Sequence, residues 1–214
     1  MRFFYPLLLG LFLLASIDSV AQNTCATAVN IAGFPFNAVG QTTAGSGDDY
    51  DETMSCASFW LTGDDYVYAY NNTSGPTELT ITLANTSTYA ALFVLDGCPD
   101  AGGNCLGVST SLTTPPPPPL CITLPTNGTY YIIVSSFGSV NQSVNFDINI
   151  TANTGTLGSS CTTPFPIPSL PYVSNGNSTE CYGDNYDFTV ACAGNDITGN
   201  DFVYSYTTAT TECI

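Results

Sequence analysis

Two acidic clusters hold the densest set of potential metal ligands in the sequence. They comprise Asp48, Asp49, Asp51 and Glu52 in the first cluster, and Asp64 and Asp65 in the second. Calcium requires roughly six to eight oxygen ligands, which irregular loops commonly supply. The candidate calcium set is therefore Asp48, Asp49, Asp51, Asp64 and Asp65. The alternative is structural, since Asp residues before a strand often form Asx turns that fix a loop.

Catalytic chemistry finds little support in the residue types. Paired carboxylates serve glycosidases, but both acidic clusters recur further along the chain, and a tandem-repeated active site on so small a module is not expected. The sequence contains no His, and its single basic residue is Arg2. A thiolate would therefore lack an activating partner, and no CxxC spacing indicates a zinc site. We predict that the chain is not itself an enzyme and has no catalytic residues.

The charge balance restricts the partners of the chain. Seventeen Asp and Glu residues stand against one Lys or Arg, which gives a formal net charge of −16. Phosphate binding depends on Lys and Arg, so nucleic acid is excluded as a partner and anionic membrane surfaces are disfavoured. Each carboxylate must be solvated, hydrogen-bonded to neutral donors or matched by an external cation.

The first residues have the pattern of an export signal. Arg2 precedes an apolar run from Phe3 to Leu14, and Ser19-Val20-Ala21 provides the small residues of a cleavage site. The apolar run is too short to span a bilayer, so no membrane insertion is expected. Residues 1–21 are therefore predicted to be a signal peptide, and the mature chain to be secreted or displayed at the cell surface.

The chain contains an internal repeat with an offset of 136 residues, in which 19 of the 54 pairs between residues 25–78 and 161–214 are identical. Gly47-Asp48-Asp49-Tyr50-Asp51, for example, matches Gly183-Asp184-Asn185-Tyr186-Asp187. We predict a complete domain over residues 22–160 and the first part of a second, truncated copy over 161–214. The chain is then expected to continue into further domains beyond residue 214.

Alternating and β-branched segments predict an all-β fold. Strands are expected over 66–70, 79–83, 89–95, 121–124, 130–135 and 144–150, and no segment shows helical periodicity. Pro125-Thr126-Asn127-Gly128 predicts a hairpin turn between the fourth and fifth of these strands. Several short strands separated by turns indicate a β-sandwich or barrel.

These segments resemble the bacterial pre-peptidase C-terminal (PPC) domain. The resemblance rests on an Asp-Tyr strand opening at 65–68, the alternating strand 79–83, the run 90–96 that ends in Asp, and Gly-Thr-Tyr-Tyr at 128–131. The strand 145–150 also fits. The resemblance implies a jelly-roll-like β-sandwich that assists binding, folding or secretion beside other domains. Relatives that bind collagen or calcium occur, but no collagen-binding motif is matched here.

Nine cysteines in an exported chain predict disulfide bonds. Cys25 and Cys56 recur together as Cys161 and Cys192, whereas Cys181 and Cys213 are both absent from the first unit. Because residues that occur together are best explained as partners, we predict the pairs Cys25–Cys56, Cys161–Cys192 and Cys181–Cys213. Cys98 and Cys105 bracket a short loop and are predicted to pair locally. Cys121 is then left over.

A contact surface is indicated by Phe59 and Trp60. Their counterparts in the second unit are Asn195 and Asp196, and a core position would not accept that polar pair, because unpaired buried polar groups cost about 1–3 kcal/mol. An exposed Trp stacks on sugar rings or anchors a protein partner. The alternative is that Trp60 folds back over its own sheet.

Three functions follow from these observations. The first is a non-catalytic surface module for adhesion, binding or spacing in a larger protein. The second is an accessory domain of a secreted peptidase or glycosidase whose catalytic part lies elsewhere. The third is a calcium-assisted carbohydrate-binding module that uses Trp60. The expected partner is an extracellular protein or glycan, and calcium is the one cofactor considered.

Overall fold

The computed structural model describes residues 22–54, 56, 59–113, 116–152, 158–175, 179, 181–182, 186 and 199–208. The predicted signal peptide lies outside these residues. No helix in the described ranges is long and apolar enough to cross a membrane. The strands are β1 Val29–Ile31, β2 Phe36–Thr42, β3 Tyr66–Asn72, β4 Thr77–Ala84, β5 Ala90–Leu95, β6 Cys105–Ser111, β7 Leu120–Leu124, β8 Gly128–Ser136, β9 Asn145–Ala152, β10 Phe165–Pro166 and β11 Tyr204–Ser205.

Two sheets built from the first nine strands form a jelly-roll sandwich. One sheet has the order β2-β9-β4-β7, and the other has the order β1-β3-β8-β5-β6. Apart from β1, which pairs in parallel with β3, all pairs in these two sheets are antiparallel. The orders β2-β9-β4-β7 and β3-β8-β5-β6 are those of the two four-stranded sheets of an eight-stranded jelly roll, which confirms the predicted all-β, jelly-roll-like class.

The main core lies between the two sheets. Alternate residues of each strand point inward, because successive side chains of a strand face opposite sides of the sheet. The five-stranded sheet contributes Tyr68, Leu92, Val94, Ile132 and Val134, and the four-stranded sheet contributes Leu79, Ile81, Phe146, Ile148 and Ile150. Each of these side chains is nearly or fully buried.

A second core covers the outer face of the five-stranded sheet. The side chains of β5 and β8 that point away from the main core are buried as well, including Phe93 and Ile133 at 0% exposure. Residues 43–54 and 59–64, named here the covering segment, lie across them and contribute Tyr50, Leu61 and Trp60. The covering segment explains why the predicted strand at 89–95 is apolar at every position: both of its faces are buried.

The predicted hairpin between the strands at 121–124 and 130–135 is wrong. The turn exists, but β7 pairs with β4 in one sheet whereas β8 pairs with β3 and β5 in the other. Strand β8 has a neighbour on each side and both faces buried, so no edge is open to β7. The chain therefore crosses between the sheets at this turn.

Three disulfide bonds correct the predicted pairing. Cys25 bonds Cys98 and Cys56 bonds Cys105, so the pairs Cys25–Cys56 and Cys98–Cys105 are wrong. The reason is the second core, against which Cys25 and Cys56 both pack, close to Cys98 in the connection between β5 and β6 and to Cys105 at the start of β6. These two bonds join layers instead of closing local loops.

The third bond joins the two units. Cys181 bonds Cys121 on the edge strand β7, so the predicted pair Cys181–Cys213 is wrong and Cys121 is not left over. Cys181 has a positive φ of 69°, and its counterpart Gly45 has φ 79°. The left-handed conformation disfavours residues with a Cβ, so a cysteine stands here despite a backbone cost. Cys161 is an exposed free thiol, and its predicted partner Cys192 lies outside the described residues, as does Cys213.

Contacts of the first unit recur in the second at the same offset of 136 residues. Strands β10 and β11 pair in parallel with the register Phe165↔Tyr204, and β1 and β3 pair with the register Val29↔Tyr68. The Val203 N–H donates to the Gly158 carbonyl at 2.7 Å, as Val67 N–H donates to the Gln22 carbonyl at 2.6 Å. The repeat seen in the sequence is therefore a repeat of hydrogen bonds.

Candidate contact surface

Asp65 lies beneath the covering segment and is fully buried. Its Oδ2 accepts hydrogen bonds from the backbone N–H groups of Tyr50 at 2.9 Å and Asp49 at 3.2 Å. Burial raises the pKa of Asp65 to about 7, and hydrogen bonds from Tyr50, Ser135 and Asp49 oppose that rise. Asp65 is thus an internal anchor for the chain at residues 49 and 50.

The same anchor is built in the second unit. The Tyr186 N–H donates to Asp201 Oδ2 at 2.7 Å, and the Cys161 N–H donates to the Tyr186 hydroxyl at 2.7 Å. In the first unit the Cys25 N–H donates to the Tyr50 hydroxyl at 2.8 Å. The same chain of hydrogen bonds thus joins an Asp, a Tyr and a Cys in both units. We conclude that the buried Asp and its Tyr partner organise the loop that carries the Tyr.

Three other predicted ligands accept hydrogen bonds from nearby donors. Asp51 Oδ1 accepts from the Thr53 N–H at 2.8 Å and from its hydroxyl at 2.5 Å, which lowers the pKa of Asp51. Asp49 accepts from the Asn23 amide. Asp64 accepts from the Gly45 N–H and the Gln142 side-chain amide, each at 3.1 Å. These contacts are the ones expected of loop-forming side chains.

Asp48 is exposed. Its pKa is raised, first by partial burial and then by the negative charges of Asp64, Asp51 and Asp49. Four carboxylates therefore repel one another in this loop. They are nevertheless spread apart, because among the described residues no three carboxylates offer oxygens within 4.8 Å of one another. The calcium assignment stays a prediction.

The one group of three ligand-type side chains within that distance, in the part of the chain described, is Cys25, Cys98 and Asp100. Its two sulfur atoms are joined in a disulfide bond. A cysteine binds a metal ion as a free thiolate. Because these two sulfur atoms are bonded to each other, the group is not a candidate metal site.

Trp60 meets two aromatic residues that the sequence did not single out. The Trp60 ring lies 5.8 Å from Phe137 and 6.2 Å from Tyr89, and Tyr89 lies 6.3 Å from Phe137. Interplanar angles between 31° and 48° place the three rings side by side at a tilt. All three are partly exposed, and Phe59 is 68% exposed. Trp60, Tyr89 and Phe137, together with Phe59, which precedes Trp60 in the chain, are named here the aromatic platform.

Three connecting loops are tied together beneath the platform. The Phe137 N–H donates to the Tyr89 carbonyl at 3.3 Å, and the Gly138 N–H donates to the Thr62 hydroxyl at 3.0 Å. The Asn141 amide donates to the Thr88 carbonyl at 2.8 Å. The loops that follow β2, β4 and β8 therefore form one connected end of the sandwich. Such cross-links hold the loops in place before a partner binds, so less conformational entropy is lost on binding.

Trp60 combines the two alternatives that the sequence left open. It packs against the second core and so covers the sheet, while the residue remains partly exposed. Tyr89 was missed because it precedes an apolar strand and was assigned to it, although its φ of 63° ends the extended conformation. Phe137 follows β8 directly, and no pattern in the sequence separates it from that strand.

Comparison with known proteins returns no matching family model and no match among curated proteins. Solved structures with a related shape include the crystal structure of Aeromonas hydrophila PliG, described as a periplasmic lysozyme inhibitor of g-type lysozyme. The match has a TM-score of 0.39 and 14% identity, and it covers 58% of this chain and 95% of that one. A likeness this distant carries no functional argument.

Proposed function

We propose that this chain is a non-catalytic module that binds a partner outside the cytoplasm through the aromatic platform. Three disulfide bonds place the chain in an oxidising compartment. Within that compartment, the observation that carries the proposal is the platform itself. It consists of partly exposed aromatic rings held on three cross-linked loops at one end of a sandwich.

The repeat supports a contact role for the outermost part of the platform. Phe59 is 68% exposed, and the second unit has Asn195 and Asp196 in place of Phe59 and Trp60. The sequence repeat therefore does not keep aromatic residues at these two positions. Exposed aromatic residues beyond the needs of the fold are typical of interaction sites, where they provide large contact areas.

The jelly-roll topology is the fold that the PPC resemblance implies, and it supports the proposal that the chain is a PPC-like module. In such a setting the module would act in adhesion or spacing within a larger protein, or beside the catalytic part of a secreted hydrolase. The bond between Cys121 and Cys181 favours a spacing role, because it restricts how far the two units can separate. A catalytic motif downstream would favour the accessory role, and further repeats would favour adhesion.

Replacing the exposed platform residues by their counterparts, Phe59→Asn with Trp60→Asp, is expected to reduce partner binding about tenfold or more. The measurement is retention of labelled residues 22–214 on printed arrays of extracellular matrix proteins and glycans. Val39→Asn is the matched control, since Val39 is 75% exposed on the edge strand β2. Equal retention of both variants and the native chain would contradict the proposal, and so would retention of none of them.

A further inference from the structure

Carboxylates next to the aromatic platform lack an internal counter-charge. Residues 22–214 contain no Lys, Arg or His. Asp48 is exposed, and the charges of Asp64, Asp51 and Asp49 all act on it. A group of like charges at an exposed site favours the approach of an external cation.

The covering segment carries these charges as well as Phe59 and Trp60. Trp60 and Asp64 lie four residues apart in that segment. The Gln142 amide donates to Asp64 Oδ1 at 3.1 Å, and the Asp64 N–H donates to the Gln142 carbonyl at 2.7 Å. Gln142 belongs to the loop that carries Phe137. The segment that carries Trp60 and the carboxylates is therefore hydrogen-bonded to the loop that carries Phe137.

The spacing of the carboxylates suits side-chain cations better than a chelated metal ion. Calcium needs roughly six to eight oxygens that converge on one point, whereas no three carboxylates among the described residues converge within 4.8 Å. Guanidinium and ammonium groups each need only one or two carboxylate oxygens. They also bind the faces of Trp, Tyr and Phe rings.

We infer that the platform and its acidic neighbours, Asp48 and Asp64, bind an extended protein segment that carries Arg or Lys side chains. The aromatic rings contact the cationic groups and their aliphatic stems, and the carboxylates form ion pairs with them. The inference rests on the proposed function and specifies its partner. An anionic ligand would be repelled by the charge of the chain, and a neutral sugar would leave the negative charge of the carboxylates unmatched.

Binding of a capped tetra-arginine peptide to residues 22–214 tests this inference by isothermal titration calorimetry. A capped tetra-citrulline peptide provides the same shape without the charge, and a neutral tetrasaccharide provides the alternative ligand. We expect Phe59→Asn to weaken tetra-arginine binding about fivefold and Asp48→Asn to weaken it about two- to fivefold. Asp100→Asn removes an exposed charge elsewhere and is the matched control, with an expected change below about twofold. Raising NaCl from about 50 mM to about 300 mM should weaken binding further.

Three outcomes would overturn the inference. Equal binding of the arginine and citrulline peptides would show that charge is not recognised. An equal loss in Asp48→Asn and Asp100→Asn would show non-specific attraction to an acidic chain. Binding of the tetrasaccharide that Phe59→Asn abolishes would retain the contact surface but replace its ligand. If Phe59→Asn changes the binding of no probe, the contact surface itself fails together with the inference.

Discussion

The folded protein is expected to be more stable near pH 5 than near pH 8, which reverses the usual behaviour of a buried Asp that is held ionised. The residue responsible is Asp65, whose burial raises its pKa from 3.8 to about 7. An acid with a raised pKa binds its proton more tightly in the folded state than in the unfolded state. Its stabilising effect is therefore complete below about pH 4 and is lost as the pH rises through about 7.

The expected size of the effect follows from the shift. A change of one pKa unit corresponds to about 1.4 kcal/mol, so ionisation of Asp65 lowers the free energy of unfolding by up to about 4 kcal/mol in total, of which about 3 kcal/mol is lost between pH 5 and pH 8. Asp51 and Asp147, whose pKa values are lowered by hydrogen bonds, act in the opposite direction. Both are already ionised in the folded and unfolded states above about pH 5, so they contribute little between pH 5 and 8.

Asp65→Asn is the variant that isolates this effect. Its side-chain oxygen can still accept hydrogen bonds from Tyr50 and Asp49, but it does not titrate. Urea unfolding near pH 5, 6, 7 and 8 should show falling stability for the native chain and a flat profile for the variant. Asp100→Asn, at an exposed position, should keep the native slope. A native chain whose stability increases with pH, or a variant that keeps the native slope, would contradict the role of Asp65.

Phe93→Ala is expected to destabilise the fold by about 3–5 kcal/mol. Phe93 is fully buried in the second core, between β5 and the covering segment. Truncation removes apolar contacts and leaves a cavity that the disulfide-linked layers cannot easily close. The measurement is the shift in the urea midpoint at unchanged slope.

Val108→Ala is the matched control for this truncation. Val108 pairs with Phe93 across β5 and β6 but is 40% exposed. Its truncation should cost no more than about 0.5 kcal/mol. If Phe93→Ala costs as little as the control, then water reaches the outer face of the five-stranded sheet and the covering segment does not shield it.

Strands with a regular or strongly apolar pattern were predictable. The segments predicted at 79–83 and 144–150 lie in β4 and β9, because one face of each is buried and the other is polar. Strand β6 was missed because Gly107, Ser109 and Thr110 give it little apolar character at the sheet edge. Strands β1 and β2 were missed because they are short or interrupted, with a register shift in β2 between Ala38 and Gln41.

The candidate site was predictable only in part, because contacts between layers leave little trace in one sequence. Phe59 and Trp60 were found by comparing the two units, since their counterparts are polar. The same comparison could not find the partner of Cys25, because a counterpart of Cys98 falls outside the printed sequence. It also could not reveal Cys121–Cys181, which joins one unit to the other. Asp65 was grouped with surface carboxylates because nothing in the sequence marks its burial.

Mapping the disulfide bonds of residues 22–214 without reduction tests most directly whether the covering segment is fixed on the outer face of the sheet. These residues contain no Lys or Arg, so chymotrypsin or thermolysin must replace trypsin, with linked peptides identified by mass spectrometry. We expect peptides that join Cys25 to Cys98, Cys56 to Cys105 and Cys121 to Cys181. Peptides that join Cys25 to Cys56, or Cys98 to Cys105, would contradict the layered arrangement and the contact surface that depends on it.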